Sequence, residues 1–433
     1  MLALTFPLWL GFSCANEPRV NVIHTTPPVV RAALDEPTAF ETNPAAEGPW
    51  ACTGELGVPL DGGFDRTIPA DPDTPVVAGV DTPARVHLLL GEDGAHEVTV
   101  VWETTAATVG GRVEVGVGSD ALAWTIPGVS YLVGGVRVHV ARLCGLTVGS
   151  TWSFRAGSEA GWSERGSFVT APEAGVDEPV RFAVMGDSRD GEETFAALMA
   201  QIQVQGVDFV VFTGDAVVSG TSWSQWSSWF DASPAGFLSL PMVFVPGNHE
   251  FNDQYWFGLF PSHTGVAHQN VDYGPVHLAV VNDTATSGNT MEAEALWLAG
   301  DLAAATAPWS VAAWHKPAVS SCKPHGEDPE TVEWFLPVVE AATNVRLVVN
   351  GHNHNYERSL PLRGGVEESL NGVVHLVSGG AGAPLYTSSY GQVYTVVEEK
   401  TQHWVLFEAD ARTLHGTAFD ITGNVLDDFV IER

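Results

Sequence analysis

The chain has 433 residues, of which 45% are apolar, 10% are aromatic and 16% are charged. This length predicts two or three domains with sizeable cores, and the composition excludes a fully disordered chain. With 19 basic and 52 acidic residues the net charge is −33, so the surface would repel phosphate backbones and we expect no nucleic-acid partner. An anionic substrate would need a strong local positive charge, and a metal centre is the obvious source.

The first thirteen residues have the character of an export signal. Residues 1–13 are apolar and end in small residues directly before Cys14. They are too few to span a bilayer, so an export signal is predicted in preference to a transmembrane helix. The ending Gly-Phe-Ser-Cys resembles a bacterial lipoprotein signal, whose cysteine is lipidated after cleavage. We expect a protein anchored in the bacterial cell envelope through a lipid on Cys14, or one secreted after an ordinary signal. Export would permit Cys52 and Cys144 to pair, but the sequence does not assign the bond.

Two zones of different composition follow. Residues 14–83 are rich in proline and acidic residues, which keep a chain extended, and we predict a surface tether with one short ordered stretch near Trp50–Cys52. Residues 84–171 contain short alternating strands between turn signals, such as HEVTVVWET and TWSFRAGS. This pattern predicts a small β-sandwich, which by itself would suggest only a structural or adhesive module.

Residues 179–433 have a third pattern, in which the strands are apolar throughout. The strand-like runs are VRFAVMGD, VDFVVFTGD, PMVFVPGNHE, WSVAAWHKP and VRLVVNGHNH. Runs of this kind are typical of strands buried on both faces, and helix-like stretches lie between several of them. A layered α/β domain with its site at the strand ends is predicted. Trp223, Trp226 and Trp229 recur at three-residue spacing, which favours a helix face packed on the sheet; a carbohydrate platform is the alternative.

Each of the five apolar runs ends in a residue that can bind a metal. In chain order these are Asp187, Asp215, Asn248 with His249, His315, and His352 with His354. Carboxylate, amide and imidazole donors together suit a divalent metal. Two metals held close together need a shared carboxylate, and an aspartate on a central strand is the expected bridge. One aspartate or histidine at a strand end is usually a turn or surface residue, but five in succession favour a metal centre.

The motifs at these strand ends resemble those of the calcineurin-like metallophosphoesterases. They are the Gly-Asp pairs at 186–187 and 214–215, GNHE at 247–250, HKP at 315–317 and GHNH at 351–354. The continuation NYER and the preceding strand-rich zone narrow the resemblance to the purple acid phosphatase-like branch. The resemblance covers residues 84–433, and GNHE and GHNHNYER are its most specific motifs. It implies an α/β fold, in which a layered β-sandwich flanked by helices follows a small all-β sandwich similar to a fibronectin type III domain.

The resemblance also implies a role for each motif residue. One metal would be bound by Asp187, Asp215 and His354, and the second by Asp215, Asn248, His315 and His352. A water activated by the metals would attack phosphorus in line with the leaving group. His249 is the natural general acid for the leaving oxygen, and the alternative is that it only supports the metal ligands.

Two positions depart from the family pattern. A common first motif is Asp-x-His, but Arg189 stands where its histidine would bind the first metal. Purple members use a tyrosine three residues after the second aspartate, and Val218 stands there. We therefore expect no iron–tyrosinate colour and a weakened first metal site, and the metals could be iron, manganese or zinc.

Arg189 itself suggests a substrate contact. A guanidinium has no lone pair for a metal, but its planar donors match a phosphate. We hypothesise that Arg189 clamps a phosphoryl oxygen; the alternative is a salt bridge that orients Asp187 or a neighbouring acid. The sequence thus predicts an exported metal-dependent phosphoesterase, most simply a phosphomonoesterase. A phosphodiesterase and a non-catalytic surface binding protein on a degenerate phosphatase fold are the alternatives.

Overall fold

The computed structural model describes residues 50–52 and 82–433, apart from residues 109, 119–120, 134, 174, 177, 263–266 and 285–289. The predicted export signal, the lipidation candidate Cys14 and most of the predicted tether lie outside these residues. Within the described ranges, no helix is both long enough and apolar enough to cross a membrane.

The described chain up to residue 171 forms a sandwich of two antiparallel sheets. Its strands are β1 (Trp50–Ala51), β2 (Ala84–Leu90), β3 (Val98–Thr105), β4 (Arg112–Val117), β5 (Trp124–Pro127), β6 (Val129–Val133), β7 (Val136–Cys144), β8 (Thr151–Ser158), β9 (Gly161–Trp162) and β10 (Gly166–Val169). One sheet contains β1, β2, β3, β6 and β7, and the other contains β4, β5, β8, β9 and β10. Trp102 of the first sheet and Phe154 of the second are fully buried in the core between them. The alternating pattern predicts the inward face of β8 correctly. For β3 the prediction of a half-buried strand is wrong, because Trp102 packs in the core of the sandwich while Val101, on the opposite face, packs in the apolar cluster of the larger domain.

A disulfide ties the edge of this sandwich to the preceding segment. Cys52 is bonded to Cys144, and β1 pairs with β7 beside it, with Trp50 opposite Cys144. The predicted short ordered stretch near Trp50–Cys52 is confirmed, and the structure assigns the bond that the sequence left open.

From residue 180 onward two sheets face each other. Their strands, together with the two-stranded pairs β17–β23 and β20–β21, are β11 (Val180–Met185), β12 (Phe209–Phe212), β13 (Met242–Phe244), β14 (Gln269–Tyr273), β15 (Val276–Val280), β16 (Trp309–Ala313), β17 (Cys322–Lys323), β18 (Val345–Asn350), β19 (Tyr356–Ser359), β20 (Leu362–Arg363), β21 (Val366–Glu367), β22 (Val374–Ser378), β23 (Ser388–Ser389), β24 (Thr395–Glu399), β25 (His403–Ala409), β26 (Thr413–Asp420) and β27 (Val425–Glu432). β11, β12 and β13 are parallel neighbours in one sheet, and β15, β16, β18 and β22 are parallel neighbours in the other. Apolar side chains of both sheets, such as Val211 and Val311, share one buried cluster.

Helices cover the outer face of each sheet. They are α1 (Glu192–Val204), α2 (Trp223–Ala232), α3 (Pro234–Phe237), α4 (Gln254–Leu259), α5 (Met291–Ala304), α6 (Pro329–Trp334) and α7 (Leu336–Ala341), with a 3-10 turn at Asn248–Glu250. α1 to α4 pack on the sheet of β11, and α5 to α7 pack on the sheet of β16. Trp226 and Trp229 of α2 are buried against Phe212 and Phe244, so the prediction of a packed helix face is confirmed.

The first sheet of the sandwich continues into the larger domain. β2 pairs in parallel with β13 through Leu89 and Met242, so one sheet runs in the order β1-β7-β3-β2-β13-β12-β11-β25-β26-β27. Tyr131 of β6 donates a hydrogen bond to the Gly258 carbonyl at 2.7 Å and shares an apolar cluster with Trp256. Both the sheet and the core therefore cross the boundary that the sequence predicts between the two zones.

Candidate metal centre

The carboxyl ends of the five predicted strands meet at one edge of the two facing sheets. The sheet of β11 presents Asp187, Asp215, Asn248 and His249, and the sheet of β16 presents His315, His352 and His354. Three contacts between side chains join the two groups: Asp215 Oδ1 to His315 Nε2 at 3.4 Å, Asp187 Oδ1 to His354 Nε2 at 3.5 Å, and Asn248 Oδ1 to His352 Nδ1 at 3.0 Å. The His352 backbone N–H also donates to Asp187 Oδ2 at 2.8 Å. All six residues predicted as metal ligands are therefore gathered in one site.

Asp215 occupies the centre of this group. Its side chain is 1% exposed, and its carboxylate lies 3.4 Å from His315 Nε2, 3.6 Å from Arg189 Nε and 3.9 Å from His249 Nε2. Its Oδ1 atom also accepts a hydrogen bond from the His249 backbone N–H at 2.9 Å. This position between the two sheets suits the bridging role expected for a central aspartate.

Backbone carbonyls orient two of the imidazoles. His315 Nδ1 donates to the Thr213 carbonyl and His354 Nδ1 donates to the Pro384 carbonyl, each at 2.7 Å. Because a carbonyl can only accept, Nδ1 is the donor in each contact, and Nε2 is the nitrogen that can bind a metal when the ring is neutral. These Nε2 atoms face the two carboxylates, which is the orientation that metal-binding histidines adopt.

The residues present fit a metal ion. Asp187 Oδ1 and His315 Nε2 are buried and make no hydrogen bond within the described part of the chain. Ligand atoms of Asp215, His315 and His352 all lie within 4.8 Å of one another. Buried polar atoms require partners, and a cation bound by these oxygens and nitrogens would supply one.

The backbone at three of these residues is strained. Asp187, Asp215 and His352 have φ angles of 60°, 57° and 66°, in the left-handed region. Such conformations cost a non-glycine residue about 1–3 kcal/mol and cluster at functional sites. Gly214, before Asp215, has a φ of 97°, and a Cβ there would lie 2.7 Å from His315 Nδ1. The Gly-Asp pair thus lets the chain turn sharply while an imidazole packs against it.

Glu250, the last residue of the GNHE motif, supports the site from beneath. It is fully buried, and its carboxylate accepts hydrogen bonds from the backbone N–H groups of Asp215, Ala216 and Gly247 at 2.9, 2.9 and 2.6 Å. Burial, with the charge of Asp215, raises the pKa of Glu250 to about 8, while these N–H groups act to lower it. Glu250 therefore joins the turns after β12 and β13, which carry the central aspartate and Asn248.

The buried Asp215 and His315 side chains influence each other's ionisation. Burial opposes ionisation of Asp215 and His315, yet their mutual attraction lowers the pKa of Asp215 and raises that of His315. Burial, followed by the neighbouring His315 charge, holds the pKa of His352 well below its ordinary value. His352 is therefore neutral, the form in which imidazole binds metals.

Arg189 and Val218, the two departures from the family pattern, both border the centre. Arg189 Nε lies 3.6 Å from Asp215 Oδ2, and its Nη2 donates to His354 Nε2 at 3.3 Å. Its side chain is 20% exposed and its Nε is buried, so the guanidinium is only partly accessible to solvent while it faces the buried carboxylate. The Val218 carbonyl accepts a hydrogen bond from His249 Nδ1 at 2.6 Å. Arg189 can thus make either the predicted anion contact or the alternative salt bridge, with Asp215 as the acid.

Two residues of the centre were missed by the sequence analysis. The His325 ring lies 4.6 Å from the His352 ring, and its Nε2 is 3.1 Å from the Tyr386 hydroxyl. The Tyr386 ring stacks on His354 with a centroid separation of 4.2 Å and an interplanar angle of 9°. Both lie on loops and outside the motifs, at places where the sequence shows no periodicity. The sequence offered one indication for His325, which follows His315 at the end of its strand by ten residues.

Known proteins resemble this chain over both domains. Residues 180–356 match the calcineurin-like phosphoesterase family, and residues 83–170 match the purple acid phosphatase N-terminal domain. Acid phosphatase type 7 of Mus musculus is 28% identical over 359 residues, which cover 70% of this chain and 78% of that protein. Purple acid phosphatase 21 of Arabidopsis thaliana is 25% identical over 303 residues, 65% of this chain and 67% of that protein.

A solved structure confirms the predicted fold class. A purple acid phosphatase from yellow lupin (Lupinus luteus) seeds superimposes with a TM-score of 0.69 over 82% of this chain and 75% of that chain, at 19% identity. The shared fold is the predicted pair of facing sheets flanked by helices, preceded by an all-β domain. The finer likeness of that domain to fibronectin type III remains a prediction.

Proposed function

Because the chain contains a purple acid phosphatase N-terminal domain followed by a calcineurin-like phosphoesterase domain, we propose that it is an exported, metal-dependent phosphomonoesterase. The observation that carries this proposal is the meeting of Asp187, Asp215, Asn248, His315, His352 and His354 at one edge of two sheets. Carboxylates, an amide and imidazoles from five strand ends are a donor set for metals and have no evident purpose in a purely adhesive module.

The six ligand residues would divide between two metal ions. Asp187, Asp215 and His354 would hold one ion, and Asp215, Asn248, His315 and His352 the other, with Asp215 shared between them. When bound, such a pair supplies positive charge for the phosphoryl oxygens and makes water a nucleophile at neutral pH. The donors are compatible with iron, manganese or zinc, and the valine at position 218 offers no phenolate to favour iron(III).

His249 is proposed to supply the proton for the leaving group. In the protonated ring, Nδ1 donates to the Val218 carbonyl, which leaves the Nε2 proton for the leaving oxygen. The Asp215 carboxylate lies 3.9 Å from Nε2, on the side of the ring that would carry this proton. The ring is 22% exposed, so a substrate can reach it from solvent.

Arg189 is proposed to bind the phosphoryl group. Its guanidinium lies at the mouth of the centre, within 4 Å of both Asp215 and His354. A bound phosphoryl oxygen would accept hydrogen bonds from its N–H groups, and the guanidinium would offer that oxygen a local positive charge in a chain whose net charge is −33. This contact would hold the ester so that its leaving oxygen faces His249.

Export is supported by two features at the start of the chain. The apolar segment 1–13 has the length of a signal peptide core, and Cys52 is disulfide-bonded to Cys144. Disulfides persist in oxidising compartments and are rare where thiols are kept reduced. Lipidation of Cys14 would fix the mature protein to a membrane and would make the following residues its tether.

One experiment tests the catalytic part of the proposal. Purified protein is analysed for bound metal, and hydrolysis of 4-nitrophenyl phosphate and bis(4-nitrophenyl) phosphate is measured after addition of iron, manganese or zinc. We expect two metal ions per chain and faster turnover of the monoester. Bound metal without hydrolysis of either ester would overturn the proposal, and a preference for the diester would replace it by the phosphodiesterase alternative.

A further inference from the structure

A shallow depression lies directly beside the metal centre. It has a volume of about 440 Å³ and is lined by residues of two short segments, among them Lys323, Pro324, Tyr386, Ser388 and Tyr390. None of these residues was predicted to take part in the chemistry, and the proposed hydrolysis uses none of them.

Tyr386 forms the wall between the depression and the centre. Its ring stacks on His354 at 4.2 Å, and its backbone N–H donates to the His354 carbonyl at 3.0 Å. Its hydroxyl lies 3.1 Å from Nε2 of His325, whose ring contacts His352. If the phosphoryl group of an ester is bound at the centre, its leaving group can therefore reach this depression.

The depression contains a lysine ammonium group, in a chain with far fewer basic than acidic residues. Lys323 is one of three lysines in the sequence, and its Nζ lies 4.5 Å from the centre of the Tyr390 ring. Lys400, by comparison, lies 3.8 Å from the Glu398 carboxylate, outside the depression. In a chain with a net charge of −33, the Lys323 ammonium is a local attraction for an anionic group.

The walls are held in place by backbone pairing. β17 and β23 pair so that Lys323 lies opposite Ser388, and the Tyr390 N–H donates to the Ser321 carbonyl at 2.6 Å. Ser321 is in turn held by the buried carboxylate of Glu357, which accepts its N–H at 2.9 Å and its hydroxyl at 2.7 Å. The cation and the two tyrosines are therefore presented on an anchored surface, as a binding site requires.

We propose that this depression binds the leaving group of the substrate, and that the preferred leaving group is a planar aromatic alcohol carrying a second anionic group. The aromatic ring would pack against Tyr386 and Tyr390, and the anionic group would pair with Lys323. The inference rests on the proposed phosphoesterase function and adds the class of ester on which it acts.

The test compares leaving groups across matched variants. We measure kcat/KM for phenyl phosphate, 4-carboxyphenyl phosphate and ethyl phosphate in the full chain, in Lys323→Gln and, as control, in Lys400→Gln, which removes the same charge elsewhere. In Lys323→Gln the ratio of carboxyphenyl to phenyl phosphate should fall about fivefold, the upper range of an exposed ion pair. Lys400→Gln should keep the wild-type ratio.

A second pair of variants tests the aromatic contact. Tyr390→Ala should lower the ratio of phenyl to ethyl phosphate about three- to tenfold, whereas Tyr390→Phe, which keeps the ring, should retain it. Unchanged ratios in both Lys323→Gln and Tyr390→Ala would overturn the proposal that the depression is a subsite for the leaving group.

A binding measurement separates this inference from the catalytic one. Calorimetric titration with 4-hydroxybenzoate, the alcohol product, should give weaker affinity in Lys323→Gln than in Lys400→Gln, whether or not the protein turns over esters. If wild-type protein hydrolyses none of the three esters but shows this difference, the proposed function fails and the subsite stands. Equal affinities would count against the subsite alone.

Discussion

At the scale of single residues, Asp215 is the point on which the centre depends. Its carboxylate lies within 4 Å of His315, Arg189 and His249, and its backbone N–H is held by Glu250. A change at this one buried carboxylate would therefore remove a contact of three side chains at once.

Replacement of Asp215 tests whether it joins two metals. Asp215→Asn removes the shared charge that would offset the repulsion between two cations, so metal content and activity should fall together, with activity at least tenfold lower. Metal analysis and hydrolysis of an aryl phosphate measure the two effects. Asp231→Asn, an acid 64% exposed to solvent, is the control and should change neither. Wild-type activity in a metal-replete Asp215→Asn protein would rule out the shared ligand.

His249 should affect proton transfer without affecting metal binding. His249→Ala keeps all six proposed ligands, so metal content should be unchanged while kcat falls about 10²–10⁴-fold. The loss should be largest for esters of poor leaving groups, because these need protonation most. A series of phosphate esters with leaving alcohols of increasing pKa measures this slope. An equal loss for every ester would indicate that His249 only positions the backbone turn or the metal ligands.

The role of Arg189 can be separated from metal binding. In Arg189→Ala, loss of a phosphate contact should raise KM and weaken inhibition by free phosphate about tenfold or more, with bound metal constant. Arg189→Lys, which keeps the charge but not the planar donors, should recover only part of the affinity. If the metal content of Arg189→Ala collapses and phosphate inhibition of the remaining metal-loaded protein is unchanged, Arg189 is a structural salt-bridge residue.

At the scale of elements, a buried histidine fastens a helix to the sheet that it covers. His277 on β15 lies 2.7 Å from Asp272 on β14 and 2.8 Å from Asp301 on α5. Burial would lower its pKa, but the hydrogen bonds and charges of the two aspartates raise the pKa of His277 to about 9. The protonated ring therefore ties α5 to the strands beneath it.

This contact predicts a stability difference between neutral and alkaline pH. The pKa of His277 is higher in the folded chain than the ordinary value of about 6.5, so its contribution is complete below that value and is lost as pH rises through 9. His277→Gln should lower the free energy of unfolding by about 1–2 kcal/mol at pH 7 and by much less at pH 10, as measured by urea denaturation.

His375 provides the control for this prediction. It is buried on β22, and burial lowers its pKa to about 3, so it is neutral throughout this range. The cost of His375→Gln should therefore be the same at pH 7 and pH 10. A cost for His277→Gln that is equally constant would show that the charge of His277 does not contribute.

At the scale of the whole molecule, the sandwich and the phosphoesterase domain share one sheet and one core. β2 of the sandwich covers the edge of β13, and Leu89 and Tyr131 complete an apolar cluster with Trp256 and Phe260. Each such side chain contributes about 1.5–3 kcal/mol by its burial. Without the sandwich, β13 would have an open edge beside exposed apolar residues, which is an arrangement prone to aggregation.

We therefore predict that the phosphoesterase domain does not fold alone. A chain that begins at residue 179 should elute as aggregates in size-exclusion chromatography and should lack a cooperative thermal transition. A chain that begins at residue 48 keeps Trp50 and the Cys52–Cys144 bond, and should melt close to the full-length protein. A cooperative transition of the residue-179 chain at the full-length temperature would show that the shared sheet is dispensable.

Local patterns in the sequence were enough to predict the strands, the helices and the donor residues of the centre. Strand runs apolar throughout, alternating strands and ligand residues at strand ends are local patterns, because they reflect which face of a segment is buried and where a strand stops. The layered α/β domain, the packed tryptophans of α2 and a metal centre at the strand ends could be predicted in this way. The two facing sheets and the six-residue ligand set were implied by the resemblance of the motifs to a known family. The motif residues were found because parallel strands bring their carboxyl ends to one edge.

The contacts between distant segments could not be predicted from local patterns. The pairing of β2 with β13, the bond between Cys52 and Cys144, the contact of Arg189 with Asp215, and the approach of His325 and Tyr386 to the metal centre each join residues far apart in the chain. Such contacts depend on how the elements pack together, and residues on loops carry no periodic signal of where they will lie. The donor residues of the site could therefore be predicted from local patterns. The loop residues that surround the site, and the sheet that joins the two domains, depend on how the elements pack.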